Sequence, residues 1–185
     1  MHPQLQLVID EFESARARLR RIVYDVPAHQ WSTRPAPERW SIGECVAHLN
    51  MTAAAYVPLL RDGLARARAC GTPAPRRYRR DFVGWMLWRG SGPPVNVRVK
   101  TTAPFIPQSA AGPASLLEDF ERYQDAQIAC VRAADGLAVQ RISTVSVFNP
   151  RFKYSLFSAL TILPRHQHRH LWQAEQAWLT IRASS

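Results

Sequence analysis

Apolar residues Leu5, Ile9, Phe12, Leu19 and Ile22 recur at helical spacing through an otherwise polar stretch, which is how one buried stripe of an amphipathic helix is written in sequence. The pattern predicts a helix over residues 3–25, closed by Pro27. A second stripe, Ile42, Cys45, Leu49, Tyr56 and Leu60, follows the proline-broken segment "WSTRPAPERW". Its start is marked by Ser41 and Glu44, whose spacing fits a capping box, and it should fade before Gly71 with Pro58 as a point for a kink. Ser115 and Glu118 repeat the capping-box spacing ahead of Leu116, Phe120, Tyr123, Gln127 and Cys130, so a third long helix is expected from there to about Gly136. The last runs from about Lys153 to Arg182, where Pro164 has to bend the helix or open its first turn, because it cannot donate to residue 160.

Two stretches break the helical pattern. Residues 71–113 hold seven of the fourteen prolines and five of the eight glycines around the apolar run "DFVGWMLWRG", and read as a long irregular connection with one short helix. Connections of this length inside a domain are usually binding elements or covers, so Trp85 and Trp88 either lie over a pocket or pin the connection to the bundle. In "LAVQRISTVSVFNPRFKYS" short β-branched alternation appears, yet a lone strand has no partner, and the segment is expected to be an extended connection. The fold class predicted is therefore all-α, as one domain over residues 1–185.

Composition narrows the class further. A chain with 46% apolar residues can bury one core of this size. No uninterrupted apolar run reaches membrane-span length, and the N-terminal stretch is too polar for a signal peptide, so a cytoplasmic protein without membrane contact is expected. Cys45, Cys70 and Cys130 are far apart with no C-x-x-C spacing, which argues for reduced thiols and against a disulfide framework or a cysteine zinc site. The net charge of +10 comes mostly from arginine spread along the chain. "RRYRR" at 76–80, with Tyr78 interleaved, is the type of cluster that holds phosphates and stacks a base, but arginines at helical spacing more often form a solvated face, and no nucleic-acid partner is expected.

The last helix carries three histidines in "LPRHQHRHLWQAEQAWL". Leu163, His166, His170, Gln173 and Ala177 step by three or four residues along one inward stripe, and His168 falls on another face. Imidazoles at i and i+4 can share one metal ion. His48, between Cys45 and Leu49 on the inward side of the second helix, offers a third ligand. A single buried histidine is ordinarily satisfied by a backbone carbonyl, but three on inward stripes of two helices would be costly to bury without a common partner. His2 and His29 have no such context and read as surface residues.

These motifs, "RWSIGECVAHL" and "HQHRHLWQ", resemble those of the DinB-like superfamily of bacterial metal-binding four-helix bundles. The resemblance covers nearly the whole chain and implies an up-down-down-up bundle with a long connection between the second and third helices. It implies a metal site made by His48, His166 and His170, with Gln173 as a supporting residue rather than a ligand. The connection at 71–113 is longer and richer in proline than a minimal member needs, so the substrate is not inherited from the family.

Three neutral imidazoles leave a divalent ion at least one open position, a site of catalytic type. The metal could be zinc, nickel, iron or manganese. Members of the superfamily include thiol-dependent transferases and isomerases, so the resemblance implies activation of a low-molecular-weight thiol, and the same site would activate water in a hydrolase-type enzyme; the other partner is then a small-molecule substrate. Glu44, one turn before His48, is a candidate general base whose competing role is the helix cap. Arg169 or the arginines of "RRYRR" could hold the carboxylates of a thiol. A homodimer is compatible with the sequence. The rival reading is a non-enzymatic basic bundle that binds nucleic acid or another acidic partner, its histidines structural.

Overall fold

The computed structural model describes residues 1–94, 101–108 and 111–184, so parts of the 71–113 connection lie outside the described residues. Helix α1 spans Pro3–Asp25, α2 Ile42–Ala69, α3 Phe82–Gly90, α4 Pro113–Ala133 and α5 Leu156–Ser184. α1, α2, α4 and α5 form the bundle, with α1 and α2 each packed against both α4 and α5.

Helix direction follows from two core layers. One layer gathers Leu5, Val8 and Phe12 of α1, Leu60 and Leu64 of α2, Ile128 and Val131 of α4, and Leu156 and Leu160 of α5. The other gathers Ala15, Leu19 and Ile22, then Ile42, Cys45 and Leu49, then Leu116 and Phe120, then Leu171 and Ala174. α1 and α5 therefore run from the first layer to the second, whereas α2 and α4 run the other way. That is the up-down-down-up order, and it forces a long crossing between α2 and α4. Cys45 and Cys130 pack in the core, Cys70 is exposed, and all three are free thiols.

Local chemistry sets most helix ends. His2, expected at the surface, accepts from the Gln4 amide as the N-cap of α1. Ser41 and Glu44 form the complete capping box of α2, an arrangement worth about 1 kcal/mol. The third long helix departs from expectation. It begins at Pro113 behind Gly112, with no side-chain cap. Proline at the first position presets φ and has no amide to leave orphaned, so Ser115 and Glu118 fall inside the first turns rather than before them.

The segment before α5 also differs. Ser143–Val145 pairs antiparallel with Lys153–Ser155, Thr144 facing Tyr154, in a two-stranded sheet. The partner strand was the stretch assigned to the beginning of the last helix. α5 accordingly starts at Leu156, with Ser155 Oγ accepting from the Ser158 amide at 3.2 Å, and Pro164 lies two turns inside a continuous helix rather than in its first turn.

The described residues of the connection include α3 and a 3-10 turn at Ala103–Phe105. α3 is anchored on the bundle by Asp81. Its carboxylate accepts from the Gly84 amide, the Ser155 amide and the Ser158 hydroxyl at 2.9, 2.7 and 2.8 Å. A Cβ on Gly84 would lie 2.0 Å from Ser158 Oγ, so the approach of α3 to α5 requires glycine there.

Candidate metal centre

His48 and the pair His166 and His170 are brought together from α2 and α5, and one ring nitrogen from each lies within 4.8 Å of the others. His48 and His170 are buried and His166 keeps partial exposure. The Nε2 atoms of His166 and His170 are 3.1 Å apart, close to the separation two nitrogens keep when each sits about 2.0–2.1 Å from one zinc ion. His168 points elsewhere, to Glu11 and Arg18, which places it off the stripe as its position in the helix requires.

The second nitrogens fix the tautomers. His48 Nδ1 lies 2.8 Å from the Phe105 carbonyl, which can only accept, so Nδ1 carries the proton and Nε2 keeps its lone pair. Nδ1 of His170 and Oε1 of Gln173 are both buried without a hydrogen bond of full geometry, yet Gln173 is near enough to favour the protonated imidazole. A proton on Nδ1 shared with Gln173 would turn the His170 Nε2 lone pair into the cluster as well.

The surroundings are aromatic, with Arg169 close by. Trp40 packs on His48 and His170, and Phe148 stacks on His48 with ring centroids 5.9 Å apart. Burial lowers the affinity of His48 for a proton, offset in part by the bond to Phe105. His166 and His170 are held well below the ordinary imidazole value, both first by burial; His48 and Arg169 lower both further, and His166 also lowers His170. All three are neutral near pH 7, the form that binds metal.

No described carboxylate joins this group. Glu44 is turned to the helix end, where it accepts from the Ser41 amide at 2.8 Å and from Arg34 Nε at 2.9 Å. Burial alone would raise its pKa, but these bonds outweigh it and hold the carboxylate below its ordinary value. Arg169 donates to the Gly90 carbonyl at the end of α3 and lies within electrostatic reach of His166 and His170.

In "RRYRR", Tyr78 is 2% exposed, stacks on Phe157 and donates to the Leu137 carbonyl, so it cannot stack on a base. Arg80 and Arg165 each lie 4.2 Å from the centre of the Trp88 ring, which pins the connection to α5; Trp85 remains exposed.

Sequence reasoning missed Phe105 and Phe148. Phe105 comes from the connection and Phe148 from the turn between the strands, neither of which has a periodicity that reports its neighbours. Trp40 was visible as part of "RWSIGECVAHL", without its position over the imidazoles.

A family model described as the DinB superfamily matches residues 11–174. The solved structure of YfiT from Bacillus subtilis, described as a probable metal-dependent hydrolase with an unusual four-helix bundle topology, aligns with a TM-score of 0.62 over 100% of this chain and 90% of that one, at 18% identity. At that identity the likeness is one of fold. No curated protein matches the chain.

Proposed function

The chain belongs to the DinB superfamily, and on that premise we propose that His48, His166 and His170 hold one divalent metal ion in an enzyme that activates water or a low-molecular-weight thiol against a small substrate. The observation that carries the reading is the convergence of three imidazoles, with His48 Nδ1 held by the Phe105 carbonyl and Gln173 close to His170. That arrangement leaves lone pairs crowded at the centre, a conflict that a cation resolves and that core packing alone does not.

A divalent ion with three neutral ligands lowers the pKa of a bound water or thiol to near neutrality and keeps a position open for it. The chain's own residues supply the rest. Phe105 and Gln173 orient two ligands, Trp40 and Phe148 exclude bulk water, and partly exposed His166 marks the side of entry. Glu44 would act as general base only after giving up bonds to Ser41 and Arg34, so in this reading it positions α2 instead. The hydrolytic variant gains support from the description of YfiT.

The test is zinc or nickel titration by calorimetry, followed by assays of the loaded chain. One assay uses small esters and amides; the other uses a low-molecular-weight thiol with a small electrophile. Stoichiometric binding with turnover in either assay is expected, and the assay that responds selects water or thiol. Failure to bind either ion at pH 7.5 would overturn the metal reading.

A further inference from the structure

Helix α3 has a face that the fold leaves uncovered. Phe82, Trp85, Met86 and Arg89 are spaced so that they share one side of the helix. Phe82 is 76% exposed, Trp85 47% and Met86 44%. This face cannot roll inward, because the inner side is fixed by Asp81 and by the contact of Gly84 with Ser158. Clustered apolar groups held in water in this way mark a contact surface.

The rim of this face is basic. Arg76, Arg77 and Arg79 precede the helix and Arg89 lies in its last turn, all four exposed. Among the described residues none of them forms an ion pair; nine of the fourteen acidic side chains pair instead with the N-terminus, Arg16, Arg18, Arg20, Arg34, Arg66, Arg122 and His168. Asp81, the nearest acid in sequence, turns its carboxylate inward to Ser155 and Ser158. A groove lined by Arg77, Arg79, Phe82 and Trp85 joins the basic segment to the apolar face, and it shares no residue with the histidine cluster.

We propose that this face docks the protein on an anionic lipid surface, with Phe82, Trp85 and Met86 entering the headgroup layer and the arginines binding lipid phosphates. Protruding apolar side chains beside cations are what an interfacial contact uses. A second copy is disfavoured as occupant because it would bring the same arginine rim and another net charge of +10. Duplex nucleic acid would use the arginines but has no place for the apolar side chains. The contact requires no spanning segment, and among the described residues no helix is long and apolar enough to cross a membrane.

Flotation of the full chain with vesicles tests the proposal. Binding is expected to phosphatidylcholine vesicles containing about a third phosphatidylglycerol, to weaken steeply with added salt, and to be at least about tenfold weaker on pure phosphatidylcholine. Phe82→Ser with Trp85→Ser, and separately Arg77→Gln with Arg79→Gln, should each lower binding about tenfold or more. Leu7→Ser and Arg141→Gln, exposed residues elsewhere, should leave it unchanged. Circular dichroism checks that each variant is folded, and the arginine pair keeps the test decisive if the aromatic pair misfolds. Absence of binding to anionic vesicles would overturn the proposal, as would equal loss in the control variants. A lipid-free dimer in sedimentation equilibrium that dissolves in the Phe82 and Trp85 variant would assign the face to a second copy and overturn it too.

Discussion

Two groups of polar side chains interrupt the apolar interior along α5, and they solve burial in opposite ways. Around Asp81, every partner is supplied from within: the carboxylate takes three donors, and Ser155 and Ser158 complete the knot. Burial by itself would raise the pKa of Asp81, yet the bonds outweigh it and hold the carboxylate below its ordinary value. Around His48, His166 and His170 the partners are incomplete. His48 Nδ1 has the Phe105 carbonyl and the Nε2 atoms of His166 and His170 meet each other, while His170 Nδ1 is buried without a hydrogen-bond partner. A satisfied polar group belongs to the architecture; a converging and unsatisfied one needs something from outside the chain.

The largest effect is expected from removing one of the three clustered imidazoles. His48→Ala, His166→Ala and His170→Ala should each lower zinc affinity by more than about 100-fold, beyond what loss of a supporting residue costs, while thermal unfolding of the metal-free chain changes little. Calorimetry and unfolding together measure both sides. A large loss of metal-free stability without loss of affinity would make the cluster structural, like that of Asp81.

The reverse pattern is expected at the other group. Asp81→Ala removes the N-cap of α3 and leaves the Ser155 amide and Ser158 hydroxyl unpaired, at a cost of about 2 kcal/mol in denaturant unfolding. Zinc affinity at neutral pH should stay at the wild-type value.

Gln173→Ala sharpens the comparison within the site. Losing the residue beside His170 should weaken zinc binding by about tenfold, the size expected of a residue that supports a metal-binding imidazole. His168→Ala, on the face that meets Glu11, should leave it unchanged.

Acid separates the groups by pH window. The buried imidazoles of the metal-free protein resist protonation, so below the ordinary histidine value of about 6.5 the unfolded chain takes up protons that the folded chain does not. Stability therefore falls as pH drops below that value. Asp81, with its pKa lowered in the fold, contributes stability above the unfolded aspartate value of about 3.9, and this is lost only as pH falls below it. Unfolding midpoints between pH 8 and 3 should fall in two steps. Phe, Leu or Met in place of the three histidines should shrink the upper step and leave the part contributed by His168, whose pKa burial also lowers.

Much of the bundle was legible because helix signals are local. The first helix begins and ends where its stripe does, at Pro3 and Asp25, and the Ser41 and Glu44 box opens α2 as its spacing indicates. The third long helix escaped the same rule because Pro113 supplies a rival start signal two residues ahead of Ser115. The two strands were missed for a different reason. Three residues on each side carry too little periodicity to reveal that Lys153–Ser155 is the partner of Ser143–Val145.

Which residues share a helical face follows from 3.6 residues per turn, without reference to the rest of the molecule, so the order of residues sets it. That order put His166, His170 and Gln173 on one stripe and His168 off it. What meets those faces depends on how the elements pack. The Phe105 carbonyl that orients His48 comes from 57 residues away, and Phe148 reaches the imidazoles from the turn between the strands. Glu44, close to His48 in sequence, was committed to Arg34 and the helix cap by the chain around it. Contacts between distant segments depend on how whole elements pack, and no local spacing encodes that.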